Sequence, residues 1–276
     1  MPATGRPVTA STRRRGTGQR VPVALLVPAA LGLLFLVLPL GGLLLRTPWT
    51  SLGPRLTAPG VLTALRLSVQ CATLATLLCL TLGVPLAWLL ARVEFPGRRL
   101  VRALVTVPLV LPPVVGGVAL LLVFGRRGPI GGWLDATFGV TLPFTTTGVV
   151  LAEAFVAMPF LIIAVEGALR GVDHRYEEAA ATLGANRWTT FTRVTLPLVA
   201  PGVAAGAVLC WARALGEFGA TITFAGNYPG RTQTMPLAVY LALETDLEAA
   251  VVLSLVLLTV SVVILAGLRD RWIGGP

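Results

Sequence analysis

Lysine is absent from all 276 residues, histidine occurs once, at His174, cysteine occurs three times, and charged residues of every kind make up only 12%. Each scarcity excludes something. Without lysine, the 22 basic residues are all arginine, so the chain cannot supply the P-loop lysine that holds nucleotide phosphates, and any ATP hydrolysis must take place on another chain. A lone histidine cannot build a zinc site with Cys71, Cys79 and Cys210, which show no C-x-x-C spacing. The cysteines lie inside apolar stretches and read as small buried residues. No paired carboxylates or Ser–His arrangement marks an intramembrane enzyme, so no catalytic residue and no metal site is expected.

What is abundant is apolar surface, with 55% hydrophobic residues and a mean hydropathy of +0.83, far outside the average soluble domain. The apolar residues gather in runs of the roughly 20 residues needed to cross a bilayer. These cover 23–45, 67–91, 101–124, 148–169, 201–224 and 249–268, which predicts an all-α polytopic membrane protein with six transmembrane helices. Residues 1–22 carry five arginines among Thr, Gly, Ser and Pro, too polar to bury a core, and read as a disordered basic tail. The run at 23–45 is too long for a signal-peptide core and lacks a clear cleavage site, so it reads as a retained first span. Six spans put both termini on one side. Fifteen arginines flank the spans on that side and six on the other, which places both termini in the cytoplasm of an inner-membrane protein. Segments 46–60, 125–147 and 227–248 then become external loops. The tail can touch anionic membrane lipid, and nothing in it calls for nucleic acid.

The longest cytoplasmic connection, 173–197, reads as structured. Asp173 is a candidate N-cap, a helix is expected over His174 to Leu183, and Gly184 sits where a left-handed residue would stop it. Asn186 caps a second short helix that should end before Pro197. Tyr176, Ala180 and Leu183 share one face of the first helix, and its small residues suit insertion into a partner's groove.

Here the chain resembles a family. Glu178-Ala179-Ala180, then three residues, Gly184, nine residues, and Val194-Thr195-Leu196-Pro197 are similar to the EAA loop of ABC-importer permeases, with Val194 in place of the usual Ile. The run from Pro108 through Pro112-Pro113 to Gly116-Gly117, and Arg213-Ala-Leu-Gly216-Glu217-Phe218-Gly219-Ala220-Thr221, resemble the permeases of molybdate importers. Sulfate and thiosulfate permeases share the Gly-Glu-Phe-Gly core. The resemblance covers about 60–270 as a type I permease domain, leaving the tail and the first span outside it. It implies a homodimer of this chain, a cytosolic ABC ATPase dimer carrying ATP and Mg, and an extracytoplasmic oxyanion-binding protein. It further implies that Glu178, Ala179, Ala180, Gly184, Leu196 and Pro197 couple to the ATPase. No cofactor is expected on this chain. Sulfate, thiosulfate or tungstate are the alternative substrates, and an ion-coupled secondary transporter is the rival class.

Inside the membrane, Glu217 is the one deep acid, and a charge there is expensive unless paired or facing water. Arg213 lies four residues earlier on the same helix face. The pair is either structural or lines the translocation path, with Thr221 one turn further on. Pro108, Pro112 and Pro113 must kink or open the third span, and Met158-Pro159 pose the same choice in the fourth; each is a plain kink or a gate. Glu153 and Glu166 read as interfacial or interhelical. Outside, Asn227, Tyr228 and Arg231 lie in a turn-rich segment that is either a solvated loop or the contact with the binding protein. Glu244, Asp246 and Glu248 read as a solvated acidic face.

Overall fold

The computed structural model describes residues 23–272, so the basic tail expected over 1–22 lies outside the described residues. Among the described residues every regular element is helical. Helix α1 (Val23–Arg46) forms a unit by itself, and its 24 residues include Pro28 and Pro39. A second unit starts at Thr47. It contains α2 (Leu52–Leu56), α3 (Pro59–Arg92), α4 (Arg98–Val110), α5 (Pro113–Phe124), α6 (Pro129–Phe138), α7 (Thr146–Gly171), α8 (Arg175–Thr182), α9 (Arg187–Thr190), α10 (Leu196–Leu215), α11 (Gly219–Phe224), α12 (Met235–Thr245) and α13 (Leu247–Trp272).

The second unit is organised around α7, which packs along α3 on one side and α10 on the other. Small side chains line these seams: Ala72, Ala75 and Cys79 on α3, Ala154 and Ala157 on α7, Cys210 and Ala214 on α10, all buried. In lipid there is no hydrophobic drive between helices, so close approach through small residues supplies the packing energy. The three cysteines are free and buried, and the Cys79 thiol donates to the Ala154 carbonyl at 3.5 Å. Larger residues such as Leu74, Leu77 and Leu82 point outward.

Among the described residues five helical runs are long and apolar enough to span, and a bent pair makes a sixth when counted as one span. That pair covers the expected third span over 101–124 and opens at its prolines, as their placement requires. Helices α4 and α5 meet at 118° across Leu111 and Pro112. Leu111, preceding a proline, is pushed to the extended region, and Pro113 is favoured as the first residue of the next helix. Pro108 lies inside α4 without ending it.

The fifth span is corrected. The short helix capped by Asn186 does not end before Pro197; α9, a π turn over Phe191–Thr195 and α10 continue as a 29-residue run from Arg187 to Leu215. Pro197 is tolerated because the π turn changes the hydrogen-bond register just where its missing N–H would fall. At the far end the helix stops at Leu215 rather than running to Phe224, and α11 starts afresh after Gly216, Glu217 and Phe218. Stretches expected as loops hold α2, α6 and α12, and α3 begins at Pro59 rather than near Leu67.

Candidate coupling loop and membrane-interior site

Between α7 and α10 the chain turns back through α8 and α9. The Asp173 carboxylate accepts the Arg175 N–H at 3.0 Å, while His174 occupies the residue before the helix. Helix α8 ends in a Schellman arrangement. The Ala185 N–H donates to the Ala180 carbonyl at 3.1 Å, and the Gly184 N–H donates to the Ala181 carbonyl at 3.0 Å. This requires Gly184 at φ +83°, a left-handed conformation that glycine adopts without a Cβ penalty. Asn186 then caps α9, accepting the Thr189 N–H at 2.8 Å.

The result is an exposed knuckle. Glu178 and Ala179 face outward, as do Tyr176 and, at 88% exposure, Leu183. Leu196 and Pro197 are not on the knuckle; they open α10 behind it. Thr195, buried beside them, joins the two parts by donating its hydroxyl to Glu177 at 2.9 Å. A cavity of about 340 Å³ lies between the end of α3 and this turn, with Arg92, Glu177 and Thr195 in its lining. Sequence reading missed Arg92 and Glu177, having counted Arg92 only as a charge flanking a span. Glu166 is interhelical, bridging Arg102 of α4 and Arg170 of its own helix at 2.6 and 2.7 Å.

In the interior, Arg213 Nη1 lies 2.6 Å from Glu217 Oε2, and Glu217 is 1% exposed. Its other oxygen accepts the Ala220 N–H at 2.8 Å. One carboxylate therefore neutralises the last turn of α10 and meets an otherwise orphaned donor at the start of α11. The two breaks come together here. A Cβ on Gly219 would lie 2.8 Å from Pro113 Cβ, and one on Gly117 would lie 2.7 Å from Thr223 Cβ. The first turns of α5 and α11 thus run side by side, with backbone against backbone.

Pro112, Pro113, Arg213, Glu217 and Thr221 gather around this meeting point. Thr221 is fully buried and its hydroxyl has no hydrogen-bond partner among the described residues. Glu153 on α7 is a second buried acid, at 1% exposure, with Oε2 equally unpartnered. Glu217 is therefore not the one deep acid. Met158 and Pro159 stand apart. Helix α7 runs through them unbroken, and they line an apolar cleft of about 350 Å³ against α4.

The 227–234 segment is folded back on itself. The Tyr228 N–H donates to the Thr232 hydroxyl at 2.9 Å, and the Tyr228 carbonyl accepts the N–H groups of Arg231, Thr232 and Gln233. The Tyr228 ring meets Phe144 edge-on at 6.1 Å and stays half exposed, Arg231 is exposed, and the Asn227 side-chain oxygen is buried.

Residues 83–274 match the family described as binding-protein-dependent transport system inner membrane component. The chain belongs to that family. It is 49% identical over 245 residues to the molybdenum transport system permease protein ModB of Mycobacterium tuberculosis (strain ATCC 25618 / H37Rv), covering 89% of this chain and 92% of that one. It is 37% identical over 236 residues to the sulfate transport system permease protein CysT of Escherichia coli (strain K12), covering 84% and 85%. The fold is shared with a chain in the crystal structure of a bacterial alginate ABC transporter in complex with an alginate pentasaccharide-bound periplasmic protein. There the TM-score is 0.74 at 20% identity, over 91% of this chain and 94% of that one. This permease is a multi-pass inner-membrane subunit of an ABC importer, and ATP hydrolysis belongs to a separate subunit.

Proposed function

We propose that the permease carries molybdate inward, as a homodimer driven by a cytosolic ATPase pair that binds ATP and Mg and fed by an extracytoplasmic oxyanion-binding protein. The observation that carries the substrate is the contrast in likeness: 49% identity to a molybdenum permease against 37% to a sulfate permease, at similar coverage. In this reading α8 enters a groove of the ATPase through Glu178, Ala179, Ala180 and Gly184, and Leu196-Pro197 roots that knuckle in α10. The α5–α11 meeting point, with Arg213, Glu217 and Thr221, borders the path of the anion. Asn227, Tyr228 and Arg231 face the binding protein, and both termini lie in the cytoplasm.

The test is uptake into proteoliposomes holding the permease, its ATPase and its binding protein, with labelled molybdate and labelled sulfate compared. ATP-dependent entry of molybdate, poorly competed by sulfate, supports the reading. Sulfate or thiosulfate entry without molybdate would move the substrate to the sulfate class that the CysT likeness represents. Uptake that ignores ATP and collapses with an ion gradient would favour a secondary transporter. Orientation is checked separately in a cysteine-free background. A cysteine at Tyr228 should react with an impermeant thiol reagent in intact cells, and one at Ala185 should not.

A further inference from the structure

The importer reading needs the knuckle to move the spans, and this inference rests on it. Helix α8 is eight residues long and packs chiefly on α9 and the π turn. No backbone connection joins α8 directly to α3, so a push on its exposed face reaches that long helix through side chains. Arg92 makes that join. It is the last residue of α3, and its side chain is only 5% exposed.

Its guanidinium meets three groups, two at the start of α8 and one at the end of α7. Nε lies 3.2 Å from Glu177 Oε1 on α8, a charge contact off the N–H direction rather than a hydrogen bond. Nη1 is 2.8 Å from Nε2 of His174, the residue that opens α8. Nη2 donates to the Val172 carbonyl, just past α7, at 3.2 Å. Glu177 Oε1 also takes the Thr195 hydroxyl, so the π turn at the root of α10 is tied to the same carboxylate. A buried cation unmatched by partners is strongly unfavourable, and here every matching group lies on a segment that must move in concert. Only the planar, five-donor fork of arginine reaches them all.

Neighbouring arginines extend the join to α4. Arg98 Nε donates to the Leu90 carbonyl at 2.9 Å. Arg102 Nη2 donates to the same carbonyl at 3.2 Å and to Glu166 of α7 at 2.6 Å. The end of α3, the start of α4 and the middle of the α7–α10 connection form one braced body.

We propose that Arg92 is a positioning residue that transmits movement of the α8 knuckle to α3 through the Arg92–Glu177–Thr195 latch, with His174 and the Val172 carbonyl fixing the guanidinium plane. The experiment measures anions transported per ATP hydrolysed in the complete transporter. Arg92→Gln should lower that ratio about five-fold or more, the lower end of ordinary coupling effects. Glu177→Gln should lower it in the same direction, and exchanging the charges, Arg92→Glu with Glu177→Arg, should recover part of it. If Arg92 serves folding alone, uptake and hydrolysis fall together and the ratio holds, which overturns the proposal. Should Arg92→Gln fail to assemble, an unchanged ratio in both Glu177→Gln and Thr195→Val overturns it equally. A parent transporter without ATP-driven uptake would sink the importer reading before any variant is made. The latch is then tested on the permease alone, with spin labels at Leu89→Cys and Thr182→Cys. The distance distribution between them should broaden in Arg92→Gln, and an unchanged width overturns the latch.

Discussion

Arg55 and Asp246 are 191 residues apart in sequence, yet Arg55 Nη1 donates to the Asp246 carboxylate at 2.6 Å while Nη2 reaches Glu248 at 2.8 Å. The acidic cluster is therefore more than a solvated face: Asp246 and Glu248 fasten α2 to the start of α13. The hydrogen bond from Arg55, then the Ala249 N–H, hold Asp246 below its ordinary value. Because the folded-state value is the depressed one, the contact contributes fully above about pH 3.9, the usual aspartate value, and is lost only as pH falls through the depressed value. A carboxylate NMR titration of the protein in nanodiscs should show Asp246 ionised throughout mild acid. Arg55→Gln should raise its value toward the ordinary range, with the backbone N–H groups of Glu248 and Ala249 still holding it down in part. Titration at or above that range in the parent protein would contradict the bridge.

Gly184→Val places a β-branched residue at a left-handed position, a local strain of about 1–3 kcal/mol. The protein should still reach the membrane, because α8 contributes little to the packed seams. Uptake and binding-protein-stimulated ATP hydrolysis should fall together as the exit from α8 is misdirected. Normal transport by well-expressed protein would remove the docking role assigned to the knuckle.

For the interior pair, the cap on α11 sharpens what a double-mutant cycle should show. Glu217→Gln keeps an oxygen for the Ala220 N–H but strands the Arg213 charge, whereas Glu217→Ala forfeits both contacts. Removing one member of a buried pair costs about 3–5 kcal/mol, while replacing both is often mild. Thermal unfolding in detergent should rank Glu217→Ala below Glu217→Gln, and Arg213→Gln with Glu217→Gln above either single change. Simple addition of the single effects would mean that the two residues do not interact.

Two glycine-to-alanine changes should act in opposite directions. At Gly117 a Cβ would meet Thr223 Cβ at 2.7 Å and the Ala220 carbonyl at 2.8 Å, so overpacking should cost about 1–3 kcal/mol. At Gly167, inside α7, nothing lies within 4 Å of a new Cβ. Alanine there should be neutral or add about 0.5–1 kcal/mol. Equal melting temperatures for the two variants would deny the close approach of α5 and α11.

The spans were legible because a run of apolar residues reports its own length, and the Schellman end of α8 because Gly184 and Asn186 carry local signals. The Arg213–Glu217 pair could be read from its spacing, but the end of α10 between them could not, since Gly216 and Gly219 allow either a continued helix or a break. Arg92–Glu177 and Arg55–Asp246 left no trace in any local window. Each joins residues brought close only by how the long helices cross, and an arginine beside a span looks alike whether it meets lipid headgroups or a carboxylate. The π turn was hidden for a related reason, because Pro197 argued for a helix boundary that the register change made unnecessary.

That π turn stores one residue beyond the ordinary helical count between the knuckle and α10. Each residue in an α-helix turns the chain by about 100°. Trimming one residue from 191–195 would remove that stored residue and close the segment into plain α-helix with its two ends near their present bearing. A further inserted residue would have no turn left to absorb it and would rotate the Asn186 end by about 100° against α10. The length of this stretch thereby sets the compass bearing of the knuckle. Insertions there should be far less tolerable than substitutions or the loss of one residue, even though most of its side chains are not deeply buried.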